Sequence, residues 1–142
     1  MANSVCKVLV TEAALQNPAD DIDPAAGAVV DFRGVVRELE EGREIDGIDY
    51  EAHVAMAEHQ MRLIADAAVA KFALTELLLH HRIGFVRAGE ASLFLRACAA
   101  HRGAAFDASK WIVDELKNKV PIWKRPKFRT AKETAQRAVA RR

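Results

Sequence analysis

The spacing of apolar residues alternates between a strand-like and a helix-like period, which limits the chain to a mixed fold. Across residues 55–72, apolar side chains recur at steps of three or four and share one helical face: Ala57, Met61, Ile64, Ala68 and Phe72. A second helical segment covers residues 103–119. Pro121 ends it, because proline lacks the backbone donor that a helix needs.

Strand-like runs surround these two helices. Five strands are predicted, at residues 6–10, 28–37, 45–52, 75–81 and 92–100. Gly34 lies inside the second of them, where a glycine often marks a bulge or a close backbone approach. The order β, β, β, α, β, β, α predicts an α+β fold, with two main helices packed against an antiparallel or mixed sheet.

Length and composition are those of one globular domain. The chain has 142 residues, of which 51% are hydrophobic, and its net charge of +1 argues against a uniformly basic nucleic-acid coat. No apolar run reaches the roughly 18 residues that a membrane span needs, and residues 1–10 do not resemble a secretory signal. Two cysteines, Cys6 and Cys98, are too few for a disulfide framework or a cysteine zinc site, so we expect a cytoplasmic protein with reduced thiols.

Charge is distributed unevenly along the chain. Residues 1–109 carry 10 basic and 17 acidic side chains, whereas residues 110–142 carry 11 basic and 3 acidic ones. Such a split suggests that the C-terminal quarter meets an anion or an acidic surface. Charge counting alone favours the simpler interpretation, which is a solvated basic tail.

Most catalytic motifs are absent from the sequence. There is no Gly-rich phosphate loop, and the five histidines do not have the spacing of a zinc protease. His80 and His81 are adjacent on a predicted strand, so their rings are expected on opposite faces, which does not favour a metal site. Cys98 lies in the middle of a strand and is interpreted as a buried, inert thiol.

Three groups of cations remain as candidate anion sites. His101 and Arg102 precede Gly103 where a strand gives way to a helix, and free backbone N–H groups at a helix start attract anions. Taken alone, Arg102 is interpreted more simply as forming a local ion pair than as part of an anion site. Arg37, at the end of the second strand, looks by itself like an ordinary exposed arginine.

The third group surrounds the proline that ends the second helix. Lys117 and Lys119 lie in the last helical turn, where basic residues favourably oppose the helix dipole, so their presence has a simple explanation. Lys124 follows the proline. Pro121 and Trp123 stiffen this segment, and packing of Trp123 is expected to hold Lys124 in place.

In this order, the segments resemble the catalytic large subunit of molybdopterin synthase over residues 5–126. The segments that carry the resemblance are Gly27–Arg37, Tyr50-Glu51 with Met56 and Glu58, His81–Gly84, Gly89-Glu90, Ala100–Phe106, Leu116-Lys117 and Pro121–Arg125. The resemblance implies one catalytic domain over residues 1–126, and residues 127–142 then form a basic C-terminal tail with the pattern of a helix.

The resemblance also implies a fold, partners and an activity. The fold is an α/β hammerhead, and the chain forms a homodimer within a heterotetramer that contains a small ubiquitin-like sulfur-carrier subunit. The carrier's C-terminal Gly-Gly thiocarboxylate enters a pocket of the large subunit and transfers sulfur to cyclic pyranopterin monophosphate, which makes the dithiolene of molybdopterin. This sulfurtransferase activity needs no cofactor, and neither nucleic acid nor a membrane is an expected partner.

The family's functional residues fall on six positions of this chain. The resemblance makes Lys117 and Lys124 catalytic, and it makes four residues substrate-binding: Arg37, His101, Arg102 and Arg125. Lys117 is expected to act as an acid or base or as a nucleophile, and Lys124 as a substrate anchor and acid. In the family, part of this pocket comes across the dimer interface.

Two other functions stay open at this stage. A non-catalytic protein that still binds the carrier would retain the surface of the family without turnover, although the presence of both lysines argues against it. A nucleic-acid-binding protein could use the basic C-terminal segment. That segment has one aromatic residue after Trp123, Phe128, and no groove-reading motif.

Overall fold

The computed structural model of the chain describes residues 5–130. Within this range the elements in chain order are β1 (Cys6–Thr11), β2 (Ala28–Val35), β3 (Leu39–Glu40), β4 (Arg43–Ala52), α1 (Val54–Phe72), β5 (Glu76–Arg82), β6 (Gly84–Arg87), β7 (Ala91–Ala99), α2 (Arg102–Lys119) and β8 (Ile122–Phe128). Both predicted helices and all five predicted strands are confirmed, with ends displaced by at most two residues. None of the described helices is long and apolar enough to cross a membrane.

The larger sheet has the strand order β1-β5-β7-β2. Strand β1 runs parallel to β5, whereas β5–β7 and β7–β2 are antiparallel, so the sheet is mixed as predicted. The register of β2 against β7 shifts between Gly34 and Val35. The bulge expected at Gly34 is therefore present.

Both helices cover one face of this sheet and form the main core with it. The α1 face predicted from the apolar spacing supplies Ala57, Met61, Ile64 and Ala68, all buried. Alternate residues of the central strands meet the helices, because successive strand side chains point to opposite faces. The buried residues of these strands in this core include Leu77, Leu79, Leu95 and Ala97.

The ends of α1 are set by local capping. The His53 ring Nδ1 accepts a hydrogen bond from the Met56 backbone N–H at 3.3 Å, which satisfies one of the free donors at the helix start. At the other end Ala73 adopts a left-handed conformation, with φ 52°, and its N–H donates to the Val69 carbonyl. The predicted stop of α2 also holds, because the helix ends at Lys119, two residues before Pro121.

The second sheet contains three strands that the sequence analysis did not predict. Its path is β3-β4-β6, and β8 pairs antiparallel with β4. Strand β8 extends to Phe128, so the expected boundary between domain and tail at residue 126 falls inside a strand, and Lys127 and Phe128 belong to the sheet. Alternate β8 residues pack inward, since Ile122 and Phe128 contact the small core around Ile45. The remainder of the predicted helical tail, residues 131–142, lies outside the described residues.

A buried arginine ties the segment before β2 to the larger sheet. The Arg96 guanidinium is 3% exposed and donates to Asp31 through two bonds, Nε–Oδ1 at 2.7 Å and Nη2–Oδ2 at 2.9 Å. It also donates to the Ala19 carbonyl at 2.9 Å and to Asp20 at 3.2 Å. The hydrogen bond from Arg96 lowers the pKa of Asp31 below its ordinary value of 3.8.

Removal of the Asp31 carboxylate is expected to destabilise the fold much more than removal of Asp20. Asp31→Asn leaves the buried Arg96 charge without its two-bond partner and should lower the free energy of unfolding by about 3 kcal/mol. Asp20, whose side chain is 88% exposed, is the control, and Asp20→Asn should cost less than about 1 kcal/mol. Urea denaturation at neutral pH measures both. Equal losses in the two variants would contradict the assigned role of Asp31.

The pH dependence of stability follows from the lowered pKa of Asp31. Its stabilisation is present above the unfolded-state value of 3.8 and is lost as the pH falls through the lower folded-state pKa. In the Asp31→Asn variant, the free energy of unfolding should therefore fall less steeply than in the wild type as the pH is lowered.

Candidate active site

A cavity of about 790 Å³ opens between the two sheets, at the C-terminal end of α2. Both sheets, the last turns of α2 and the segment after β2 contribute to its wall. The wall is apolar at Phe32, Gly34, Val35, Val36, Ile48, Leu93, Val113, Leu116, Val120, Ile122 and Pro126, and polar or charged at Arg37, Glu40, Tyr50, His81, Ser92, Lys117 and Lys124. Its polar groups come from six separate parts of the chain, so only the folded protein assembles them.

Three of the six predicted site residues lie in this wall: Arg37, Lys117 and Lys124. Lys117 belongs to the last turn of α2. Lys124 belongs to β8, where its register partner on β4 is Tyr50, so both side chains point to the cavity side of the second sheet. Arg37 follows β2 and is mostly exposed, with its guanidinium 4.0 Å from the Glu40 carboxylate.

The two lysines of the cavity have no carboxylate partner among the residues that the structure describes. Within residues 5–130 neither Lys117 nor Lys124 forms an ion pair, whereas nearby Lys119 pairs with Glu115 at 2.5 Å. Unpaired ammonium groups beside a partly apolar wall attract anions, because the positive potential there is not cancelled locally. The cavity is therefore suited to an anionic ligand.

A buried chain of hydrogen bonds holds the cavity wall beside Arg37. The Tyr50 hydroxyl donates to Ser92 Oγ at 3.1 Å, and Ser92 Oγ donates to the Gly34 carbonyl at 3.4 Å. Burial raises the pKa of Tyr50, so its phenol remains a donor at neutral pH. The chain of bonds ends at the β2 bulge, which precedes Arg37 by three residues.

His81 lies beside this network, on the cavity side of β5. Its ring meets the Tyr50 ring edge-on, with ring centroids 5.4 Å apart. Burial is the main cause that lowers the pKa of His81, and the positive charge of Lys124 lowers it further. His80 faces the opposite side and packs near Phe94, with ring centroids 6.1 Å apart, so the prediction of opposite faces is confirmed.

Three predicted site residues lie outside this cavity. His101 caps the start of α2 and Arg102 is its first residue, and both are exposed. Lys117 lies 15 residues after Arg102 in the same helix, which is about 22 Å along the axis. Arg125 points away from the cavity and pairs with Glu51 on β4 at 3.3 Å. Within one chain, the structure does not bring these three residues to the lysines, and their roles stay predictions.

A second cavity, of about 650 Å³, is lined mainly by the second sheet and is a weaker candidate. Its most buried cation, Arg129, donates to Glu44 at 2.6 Å and to Asp46 at 2.8 Å. Lys127, another of its lining residues, lies over the Phe85 ring, with Nζ 5.8 Å from the ring centroid. The carboxylates that hold Arg129 leave less free positive charge for a ligand than in the cavity of Lys117.

Sequence reasoning assigned no role to Tyr50, Ser92 or His81. Tyr50 and His81 appeared in segments that carry the resemblance, but neither was given a function; Tyr50 was an inward residue of an alternating strand and His81 one of two adjacent histidines. The alternation within each strand predicts which face a residue occupies, but not which other strand that face meets.

Among residues 5–130 no group of three or more His, Cys, Asp or Glu side chains has the arrangement of a metal site.

The unpaired lysines predict measurable binding of a small polyanion. Titration calorimetry with inorganic pyrophosphate at low ionic strength should detect binding, and Lys117→Ala and Lys124→Ala should each weaken it about tenfold. Lys119→Ala is the matched control, because Lys119 is already paired with Glu115, and it should change affinity by less than about twofold. If all three variants weaken pyrophosphate binding equally, the affinity depends only on the net charge of the protein and not on the cavity.

Comparison with known proteins identifies the family. The family model described as MoaE protein matches residues 7–119. The molybdopterin synthase catalytic subunit of Oryza sativa subsp. indica is 45% identical over 103 residues, which cover 72% of this chain and 53% of the rice protein. The protein of that name from Thermoplasma volcanium is 41% identical over 113 residues, which cover 77% of this chain and 82% of the relative. The chain thus spans about half the length of its rice relative.

Solved structures agree with this result. A structure titled as molybdopterin synthase from Staphylococcus aureus superposes with a TM-score of 0.73 at 32% identity, over 78% of this chain and 80% of that chain. The family model, over residues 7–119, spans nearly all of β1 to α2 and so includes both helices and the strands of the larger sheet. The α+β fold predicted from the order of strands and helices is confirmed, and the chain belongs to the MoaE protein family, the family of molybdopterin synthase catalytic subunits.

Proposed function

We propose that this chain is the catalytic large subunit of a molybdopterin synthase. It transfers sulfur from the C-terminal thiocarboxylate of a small ubiquitin-like carrier subunit to cyclic pyranopterin monophosphate, and the product is the dithiolene of molybdopterin. The observation that carries the proposal is the pair of lysines, Lys117 and Lys124, which share one cavity with Arg37 and have no ion pair within residues 5–130. The names of the rice and Thermoplasma relatives support the same activity.

The charges of the reactants explain why the cavity needs fixed cations. The carrier ends in an anionic thiocarboxylate and the precursor carries a cyclic phosphate, so the two reactants repel each other. Cations fixed by α2 and β8 offset that repulsion and stabilise negative charge that develops during transfer. The sulfur arrives already activated on the carrier, so the reaction requires no electron transfer by the protein.

The two lysines have different surroundings, which suggests different roles. Lys124 lies beside the buried Tyr50 and the partly buried His81, and its backbone is fixed by strand pairing, so we assign it as the substrate anchor and proton donor. Lys117 lies at the end of α2, at the rim of the same cavity, and we assign it as the acid or base or as the amine nucleophile.

We infer that a second copy of the chain completes the site. His101 and Arg102 have no ion pair within residues 5–130 and lie far from the lysines of their own chain. A homodimer in which the start of α2 from one chain faces the cavity of the other would bring these cations to the phosphate. Arg125, on the outer face of β8 and paired with Glu51, is proposed as a further substrate-binding residue.

The proposal places the reaction in the cytoplasm, in a heterotetramer of two large subunits and two carriers. Cys6 and Cys98, the two cysteines of the chain, are buried free thiols, as a reducing compartment favours. Nucleic-acid binding by the basic segment has less support, because Lys110, Lys119, Arg125 and Arg129 are each paired with a carboxylate.

The direct test is sulfur transfer by the purified chain with a thiocarboxylated carrier and the cyclic precursor. Lys117→Ala and Lys124→Ala should each lower the rate of dithiolene formation at least about 100-fold, because each removes a charge from the site of transfer. Lys119→Ala should retain the wild-type rate. Normal turnover by a folded Lys117→Ala variant would contradict the assignment. A wild-type chain that binds the carrier and makes no product would instead be the non-catalytic alternative.

Mixed dimers test whether the second copy contributes to the site. Arg102→Ala and Lys117→Ala should each be nearly inactive alone, whereas an equal mixture after subunit exchange should regain about a quarter of wild-type activity, because half the dimers are mixed and each has one intact site. Lys117→Ala mixed with Lys124→Ala is the control. Both changes affect the same end of one chain, so every site stays defective and activity should not return. Absence of recovery in the first mixture, with exchange verified, would argue against a shared site.

A further inference from the structure

The cavity contains one titratable side chain that the proposed reaction has not used, His81. Because successive strand side chains point to opposite faces, the ring of His81 lies on the cavity side of β5 and that of His80 on the opposite face. Beside His81 in the cavity wall are Tyr50, whose ring it meets edge-on, and Lys124, the register partner of Tyr50. The three side chains thus form one group drawn from β5, β4 and β8.

The contacts of His81 determine which ring nitrogen carries the proton. Nδ1 lies 2.8 Å from the carbonyl oxygen of Arg82. A carbonyl oxygen only accepts, so Nδ1–H is the donor in this bond, and Nε2 of the neutral ring is an acceptor. Burial, together with the nearby Lys124 charge, lowers the pKa of His81, so the ring is neutral at pH 7.

We propose that His81 is a positioning residue for Lys124. Among residues 5–130 the structure has no hydrogen bond between the two side chains; in the proposal, a change of rotamer of the exposed Lys124 side chain lets Nε2 accept one from the ammonium and hold it over the cavity. Within residues 5–130 no carboxylate pairs with Lys124, and the edge-on contact with Tyr50 restricts rotation of the imidazole. The inference rests on the proposed function only where it takes Lys124 as the anchor of an anionic substrate.

A neutral acceptor is chemically suited to this task. A carboxylate beside Lys124 would cancel its charge and compete with an anionic ligand for the ammonium protons. An imidazole restrains the ammonium but leaves its full positive charge for the ligand. His81 therefore orients Lys124 without weakening the positive potential of the cavity.

Two substitutions of His81 separate this role from a purely structural one. In His81→Asn the side-chain amide reaches only the Nδ1 position and retains a donor for the Arg82 carbonyl, whereas in His81→Gln it reaches the Nε2 position. With inorganic pyrophosphate as the probe, His81→Asn should weaken binding about fivefold and His81→Gln less than about twofold. His80→Asn, on the opposite face, is the matched control and should change affinity by less than about twofold.

The Lys124→Ala background shows whether His81 acts through Lys124. If it does, adding His81→Asn to Lys124→Ala should weaken pyrophosphate binding by less than a further factor of about two. An undiminished fivefold effect in that background would overturn the proposal, as would equal losses for His81→Asn and His81→Gln. In the sulfur-transfer assay, His81→Asn, His81→Gln and His80→Asn should follow the same order. If the wild-type chain makes no product, the proposed function fails, while the pyrophosphate measurements still decide the role of His81.

Nitrogen NMR of the histidines tests the proposal without relying on the folding of a His81 variant. In the wild-type chain at pH 7, we expect Nδ1 of His81 to be protonated and Nε2 to be unprotonated. The Nε2 resonance should move in Lys124→Ala and stay in place in Lys119→Ala. A protonated Nε2, or an Nε2 resonance that does not move in Lys124→Ala, would overturn the proposal.

Discussion

The antiparallel pairing of β8 with β4 is the contact on which the site depends. The chain leaves α2 at Lys119, reverses at Pro121 and continues along β4 from Ile122 to Phe128. This reversal places Lys117 and Lys124 in the wall of the same cavity although they belong to different elements. Pro126, which cannot donate to a strand partner, is tolerated because β8 is an edge strand. Without this pairing, the segment after α2 would be the solvated basic tail that its charge suggests.

The distribution of ion pairs separates the parts that stabilise the fold from the part that binds. Arg96 and Arg129 are nearly buried, and each is held by carboxylates, since an unpaired charge there would be costly. Lys117 and Lys124 have no such partner among the described residues. Like charges that face one cavity repel each other, and that cost is tolerated at a site where a ligand supplies the missing negative charge. The neutral groups between them, Tyr50 and its hydrogen-bonded neighbours, hold the geometry without adding charge.

Local sequence patterns predicted both helices and five strands, but not β3, β6 and β8. The helices and the five predicted strands follow from apolar spacing and from Pro121. Strands β3 and β6 are short, and much of their stabilisation comes from pairing with β4 rather than from a buried apolar run. Strand β8 carries Lys124, Arg125 and Lys127, so its composition resembles a surface segment. Its strand conformation depends on a partner about 80 residues earlier in the chain, which a local pattern does not contain.

The sequence by itself determined the α+β class, the two helices, the end of α2 and, through ordered motifs, the family. It also named Arg37, Lys117 and Lys124, which the structure brings to one cavity. Only the tertiary structure decided that His101 and Arg102 lie at the far end of α2 and that Arg125 points outward. It alone brought Tyr50, Ser92 and His81 into the same cavity wall as the lysines. The physical reason is that periodicity records which face of an element is buried, whereas the pairing of distant strands decides which faces meet.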